Sequence, residues 1–253
     1  MAKDGRRVAW VTGGGSGIGE AGAEALAADG WIVVVSGRRK DALETVVEKI
    51  TKAGGIAEAL ALDVSNADQA QKAADQIIAR HGRIDLLVNN AGINVPRRSW
   101  KDMELDDWDK LVQVNLNGVL YCMRAVLPTM RKQRDGSIIN VSSWAGRHVS
   151  KMPGPAYTTT KHAVLALTHS FNMDECVNGL RACCLMPGEV ATPILKLRPV
   201  VPSEEEQAKM LQSEDIGRTI VFIASMPPRV CINEILISPT HNRGFIQTPA
   251  NRD

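Results

Sequence analysis

The sequence predicts an α/β fold: a doubly wound parallel sheet of about seven strands with helices on both faces. Three observations predict it. Short apolar runs alternate with helix-length segments along the whole chain, the signature of strand–helix–strand units. The first apolar run leads straight into a glycine-rich turn and then a helix. No repeat or low-complexity linker divides the 253 residues, so the reading is one domain over 1–253. Right-handed crossovers in such a sheet bring the strand ends, and the motifs on them, to one edge.

The first strand is 8–11, and the helix that follows is 20–29. Between them lies Thr12-Gly13-Gly14-Gly15-Ser16-Gly17-Ile18-Gly19. Glycines let backbone N–H groups approach an anion, and the helix N-terminus adds partial positive charge, so strand, turn and helix together suit a pyrophosphate. Gly13, Gly15, Ser16, Gly17, Ile18 and Gly19 are therefore candidate cofactor contacts, although the G-x3-G-x-G spacing is not the common G-x-G-x-x-G. The second strand, 31–36, ends in Ser36-Gly37-Arg38-Arg39-Lys40, with no carboxylate before Asp41. A carboxylate there would bind a ribose 2′-hydroxyl. Arg38 and Arg39 instead suit a 2′-phosphate through charge-assisted, bidentate bonds, which favours NADP(H) over NAD(H).

A helix over 41–53 stops at Gly54-Gly55, and a third strand, 56–62, leads into Asp63-Val64. A helix over 67–81 stops at Gly82, and a fourth strand, 84–88, runs into Asn89-Asn90-Ala91-Gly92. The polar stretch 97–109 connects to a long helix reaching about 131, with Asn115 and Asn117 inside it. Taken alone, a mid-helix asparagine is an exposed or back-bonded residue. The fifth strand is 137–141, closed by Ser142-Ser143, and 144–155 is a loop. A helix carrying Tyr157 ends near Asn178-Gly179, and a sixth strand covers 180–186. Prolines break the chain over 187–193. A mobile segment over 194–202 precedes an acidic helix over 204–212, and these form the substrate loop, 194–212. A helix over 214–224, a turn at Pro227-Pro228, a last strand at 235–237 and a tail over 241–253 complete the chain.

Composition narrows the function classes. With 44% hydrophobic residues the chain can build a sizeable core, and a net charge of +2 gives no case for nucleic acid or membrane. No apolar run reaches transmembrane length, and the polar start has no secretory h-region. The five cysteines make no metal-type CxxC spacing. The expectation is no metal, with buried thiols in a reducing, cytoplasmic setting.

Tyr157 and Lys161 stand four residues apart, on one face of a helix. A close ammonium favours the phenolate and so lowers a phenol's pKa. Such a phenol can give a proton to a carbonyl oxygen or take one from an alcohol.

Four features now stand in order: Thr12-Gly13-x3-Gly17-x-Gly19, Asn89-Asn90-Ala91-Gly92, Ser143, and Tyr157-x3-Lys161. Together they resemble the short-chain dehydrogenase/reductase family, in its short soluble single-domain branch with a Rossmann-like fold. The resemblance implies that Tyr157 is the general acid/base. Lys161 would lower its pKa and bind the nicotinamide ribose, and Ser143 would hold the substrate oxygen. Asn115 would kink its helix and hold a water that relays protons by way of Lys161. Asn90, Ala91 and Gly92 would line the cofactor edge. Asp63 and Val64 would meet the adenine, and Pro187, Gly188, Val190 and Thr192 the nicotinamide end. The resemblance also implies a homotetramer or homodimer. Many relatives end in Asp-Gly-Gly where this chain reads Ile237-Ser238-Pro239-Thr240, which leaves both open.

The function expected is an NADP(H)-dependent oxidoreductase interconverting a small-molecule secondary alcohol and its carbonyl. The rival from another class is a cofactor-binding sensor with little turnover, which would have no need of Ser143, Tyr157, Lys161 and Asn115 together. Substrate choice falls to 144–156, 194–202 and 94–100, offering Trp144, Arg147, His148, Met152, Leu195, Lys196, Leu197, Arg97 and Arg98. This basic excess allows a carboxylate or phosphate on the substrate. Glu189, a carboxylate beside the expected nicotinamide pocket, either turns outward or touches substrate.

Overall fold

The computed structural model describes residues 5–198, 200–243 and 245. Seven parallel strands form one sheet: β1 (Val8–Thr12), β2 (Ile32–Gly37), β3 (Ile56–Ala61), β4 (Leu86–Asn89), β5 (Gly136–Val141), β6 (Leu180–Pro187) and β7 (Glu234–Ile237). Their order is β3-β2-β1-β4-β5-β6-β7. β1, β2, β4 and β5 are buried almost throughout, as near-continuous apolar runs covered on both faces should be.

Helices cover both sides. α1 (Gly17–Ala28), α2 (Lys40–Lys52) and α8 (Ser213–Ser225) pack on one face, where Leu26, Leu43, Val46, Ile216 and Ile220 meet Val33, Val35 and Leu185. α3 (Ala67–His81), α5 (Gly118–Gln133) and α6 (Pro155–Glu175) pack on the other, where Ala74, Ile77, Val126, Met130 and Phe171 meet Trp10, Leu87 and Ile138. α4 (Leu105–Val112) and α7 (Glu204–Ala208) lie outside these layers' main runs. Among the described residues no helix is long and apolar enough to cross a membrane.

The strand order reverses between β1 and β4, so their carboxyl ends splay apart and open a crevice. Polar bonds fix this edge. Asn89 donates to Asn140 Oδ1 at 2.9 Å, and Asn140 donates to Thr168 Oγ1 at 2.9 Å, tying β4 and β5 to α6 through buried side chains. Satisfied buried amides of this kind cost little and set register.

Some boundaries differ from expectation. The fourth strand begins at Leu86 rather than 84; ahead of it the Ile84 N–H is taken by the Gln133 side chain, and the Asp85 carboxylate accepts from the Val8 N–H. The stretch 97–109 already becomes helical at Leu105, where α4 starts. The acidic helix stops at Ala208 instead of 212. The segment over 194–202 was expected to be mobile. Pro193–Leu197 instead forms a short 3-10 turn anchored by buried Leu195. The tail lies mostly outside the described residues. Cys122, Cys183 and Cys184 are buried, but Cys176 and Cys231 are exposed, which corrects the expectation of five buried thiols.

Candidate active site

The glycine turn joins β1 to α1. Gly13 sits at φ +66°, and a side chain there would meet the Ala91 backbone at 2.9 Å. A Cβ on Gly19 would fall 2.2 Å from the Gly13 carbonyl oxygen. The turn therefore closes only without side chains at these points. Asn90 braces it from β4, donating from Nδ2 to the carbonyls of Thr12 and Gly13, both at 3.2 Å. Thr12 Oγ1 returns the contact by accepting from the N–H of Asn90 and of Ala91, at 3.1 and 3.2 Å. Ser16, the N-cap of α1, makes no side-chain cap, so first-turn N–H groups stay available to an anion.

At the end of β2, Arg38 and Arg39 are exposed. Arg39 Nη2 donates to Ser16 Oγ at 3.4 Å, which brings a guanidinium to the mouth of the glycine turn. Asp63 lies close enough for the Arg38 charge to help hold its carboxyl below the usual range, though its bond with Ser65 does more.

The acid/base group is built on β5 and α6. Ser142 is buried and donates to the Lys161 carbonyl at 2.8 Å, while Lys161 Nζ donates to the Val141 carbonyl at 2.9 Å. These two bonds clamp α6 onto the end of β5. Ser143, one residue on, lines the cavity together with Tyr157, and its Oγ accepts from the Ala145 N–H at 3.1 Å. Both serines line the cavity, and of the two Ser142 is the one bonded to α6. Lys161 is 4% exposed, and burial pushes its ammonium down to about 8.

One expectation is corrected. A neighbouring Lys161 was expected to pull the Tyr157 phenol below its ordinary value. Burial instead raises it, opposed by the Ser143 hydroxyl and then by the charges of Arg198 and Arg98. Lys161 Nζ is 5.5 Å from the Tyr157 ring centroid and spends itself on Val141.

Asn115 sits in a π-helical turn, Gln113–Asn117, between α4 and α5. Its side chain pairs with Ile93, accepting from the N–H at 2.8 Å and donating to the carbonyl at 2.9 Å. Asn115 Oδ1 and Lys161 Nζ converge on Gly92, each 3.5 Å from where a Cβ would stand.

A cavity of about 600 Å³ runs from the glycine turn to Tyr157. Gly13, Ser16, Gly17 and Ile18 line one end, and Asn90, Ala91 and Gly92 its floor. Ser143, Trp144, Tyr157 and Lys161 line the other end, with Pro187, Gly188, Glu189, Val190 and Thr192 along the wall. Several predicted residues lie off this lining. Gly15 packs against Ala42, and Val64 packs under Gly118. Asp63 Oδ1 accepts from Ser65 N and Oγ, at 3.0 and 2.6 Å.

Of the loop residues expected to choose substrate, Arg98, Trp144, His148, Met152 and Leu195 line the cavity. Trp144 stacks on His148 with ring centroids 4.5 Å apart and meets Phe245 edge-on at 5.5 Å. Arg147 and Arg97 turn away, to Glu234 and Asp107. Glu189 is held rather than free. Arg198 donates to it at 2.7 Å, and Arg243 at 2.6 and 2.8 Å, which keeps its carboxyl below the usual range. Sequence reasoning missed Arg198 and Arg243. The signal was Glu189 itself, since a carboxylate beside an apolar pocket requires a cation.

The cradle fits a dinucleotide. Two glycine positions admit no side chain, an uncapped helix start faces the crevice, and Arg39 reaches Ser16 beside it.

Comparison with known proteins agrees with this geometry. The family model described as short chain dehydrogenase matches residues 7–199. An uncharacterized oxidoreductase of Staphylococcus aureus (strain N315) is 34% identical over 92% of this chain and 97% of its own. A metagenomic short-chain oxidoreductase solved with NADP is 32% identical, with a TM-score of 0.80 over 92% of this chain and 97% of that one. An alcohol dehydrogenase from the archaeon Thermococcus sibiricus, complexed with 5-hydroxy-NADP, is 27% identical, with a TM-score of 0.84 over 94% of this chain and 98% of that one. The fold and cradle define a nucleotide-binding oxidoreductase. The chain belongs to the short-chain dehydrogenase family.

Proposed function

We propose that this protein is an NADP(H)-dependent oxidoreductase that interconverts a secondary alcohol and its carbonyl, with Tyr157 as general acid/base. The observation that carries the reading is the convergence of the Ser143 hydroxyl, the Tyr157 phenol and the Lys161 ammonium at one end of a cavity whose other end is the glycine turn. The bound nicotinamide would give hydride to the carbonyl carbon or take it from the alcohol carbon. This chain's residues handle the rest. In reduction, negative charge grows on one oxygen, and the Ser143 and Tyr157 hydroxyls are the donors that stabilise it. Tyr157 gives its proton to that oxygen, so the carbonyl gains one hydride and one proton, and the phenolate is reprotonated from solvent. Oxidation reverses each transfer. Lys161 holds positive charge under the phenol, and the Ser142–Lys161 and Lys161–Val141 bonds fix its position.

Arg38 and Arg39 hold the cofactor's 2′-phosphate, and the turn from Gly13 to Gly19 its pyrophosphate. NADP in solved relatives supports this choice. Asn115 supports the Ile93 backbone beside Lys161, which suits a proton path. The enzyme is a one-domain cytoplasmic homo-oligomer in this reading.

The test follows nicotinamide absorbance over a panel of ketones and secondary alcohols, with wild type and Tyr157→Phe. The expected result is turnover by wild type and loss of roughly a hundredfold or more in the variant, with NADPH binding kept. Turnover retained by Tyr157→Phe rejects the phenol as the acid. NADPH binding without turnover on any carbonyl favours the sensor reading.

A further inference from the structure

The substrate end of the cavity carries two arginines that the acid/base chemistry does not use. Arg98 and Arg198 both line it, beside Tyr157. They come from separate loops and are held from several directions. Arg98 donates from Nε to the Val95 carbonyl at 2.8 Å and from Nη2 to the Leu197 carbonyl at 2.7 Å, so it straps its loop to the Pro193–Leu197 turn. A Cβ on Gly154 would fall 2.3 Å from the Arg98 carbonyl oxygen, which seats the Arg98 backbone against the N-cap of α6, three residues before Tyr157. Asn94 adds a bond to the Pro153 carbonyl at 3.1 Å. Arg198 is oriented by Glu189, and Glu189 by Arg243, which also reaches Glu206 at 2.8 Å.

The charges in this group do not cancel. Glu189 is shared between Arg198 and Arg243. Among the described residues, Arg98 meets carbonyl oxygens and no carboxylate. Both arginines are half-buried. Burial and the charge of Arg198 together push the Arg98 guanidinium down. Two partly desolvated cations facing one cavity repel each other, and an anion between them would relieve that cost. Each guanidinium carries five N–H donors, and the protein acceptors named above use only some of them. Planar, bidentate donors of this kind match a carboxylate.

We infer that Arg98 and Arg198 form a subsite for the carboxylate of an oxo acid or hydroxy acid whose reacting oxygen lies at Ser143 and Tyr157. This rests on the oxidoreductase reading above and names its substrate class. Glu189 is a positioning residue in it: by holding Arg198 and Arg243 it aims the first at the cavity and does not itself touch substrate. Arg147, the loop arginine that sequence alone brings forward, is not part of the subsite, since it turns to Glu234.

The test compares pyruvate, acetoacetate and levulinate with their methyl esters, which keep the ketone and remove the charge. Two readouts are taken on NADP(H)-loaded protein: kcat/KM for each acid–ester pair, and calorimetric affinity for each acid with NADP⁺ bound, where no reduction occurs. Wild type should favour at least one acid over its ester by about tenfold or more in one readout, a typical effect of a charge-assisted bond. In Arg198→Gln and Arg98→Gln that ratio should fall towards one. Arg198→Lys, which keeps the charge but not the fork, should fall between. Arg147→Gln should leave the ratio where it was. Turnover with no preference for any acid in wild type overturns the subsite and leaves the oxidoreductase reading standing. Acid binding that depends on Arg198, without turnover, supports the subsite and counts against the oxidoreductase reading. No acid binding and no acid turnover overturns the subsite.

Discussion

Lys161 donates from Nζ to the carbonyl of Val141 at 2.9 Å, across the junction of α6 and β5. The bond fixes the one buried ammonium beside Tyr157 against the sheet edge. It also places a charge where water is scarce, and burial pushes that charge's pKa down to about 8 from 10.5.

A stability cost follows from burying this ammonium. Because the folded pKa is depressed, the unfolded chain binds more protons between about 8 and 10.5, and stability of the cofactor-free protein rises with pH across that window. Lys161→Met removes the buried charge. Near neutral pH it should gain on the order of 1–3 kcal/mol over wild type, less whatever the Val141 carbonyl loses. The gain should shrink as pH climbs through the window, and turnover should be lost throughout. Denaturant melts over a pH series check this, and a Lys161→Met protein less stable than wild type at every pH contradicts it.

The glycine turn offers a steric test. Gly19→Ala puts a Cβ 2.2 Å from the Gly13 carbonyl, and backbone cannot yield cheaply there. It should cost about 2 kcal/mol or more and weaken NADPH binding sharply. Gly37→Ala, where the nearest atom is Leu43 Cδ2 at 3.7 Å, should stay within about 1 kcal/mol. Thermal melts and NADPH fluorescence titration give both quantities.

The proposed 2′-phosphate contact at the end of β2 gives a cofactor test. Arg38→Ala should weaken NADPH by about ten- to a hundredfold and NADH by much less, as loss of a charge-assisted phosphate contact requires. Arg39→Ala should add a loss through its bond to Ser16. Equal loss for the two nicotinamides would remove the 2′-phosphate assignment.

The charges over Tyr157 make a pH prediction. Arg198 and Arg98 both act to lower the phenol's pKa against burial. Removing one destabilises the phenolate, so the pKa rises further. Alcohol oxidation, which needs the phenolate, should then move its pH profile in Arg198→Gln to the alkaline side. A shift to the acid side, or none, would show that these charges do not reach the phenol.

Much of the site could be read from spacing. Gly13, Gly17 and Gly19, the Asn89–Gly92 run and Ser143 are short-range patterns that fall at strand ends, and the Tyr157–Lys161 pair shares one face of a helix. The wall of the substrate pocket could not. Residues over 194–202 read as mobile because they show no helix or strand period, yet Leu195 buries itself and Arg198 finds Glu189. Arg98 and Leu197 are 99 positions apart in the chain and share a 2.7 Å bond, which no local pattern carries.

The sequence by itself determined the sheet, the crevice edge and the order of the chemical groups along it, because hydrophobic period, glycine turns and helix stops are local. Tertiary structure alone decided that Arg98, Arg198 and Glu189 line one cavity with Tyr157, that Arg147 turns to Glu234, and that burial raises the phenol. Charge and solvation at one point depend on everything folded around it, and those neighbours come from distant parts of the chain.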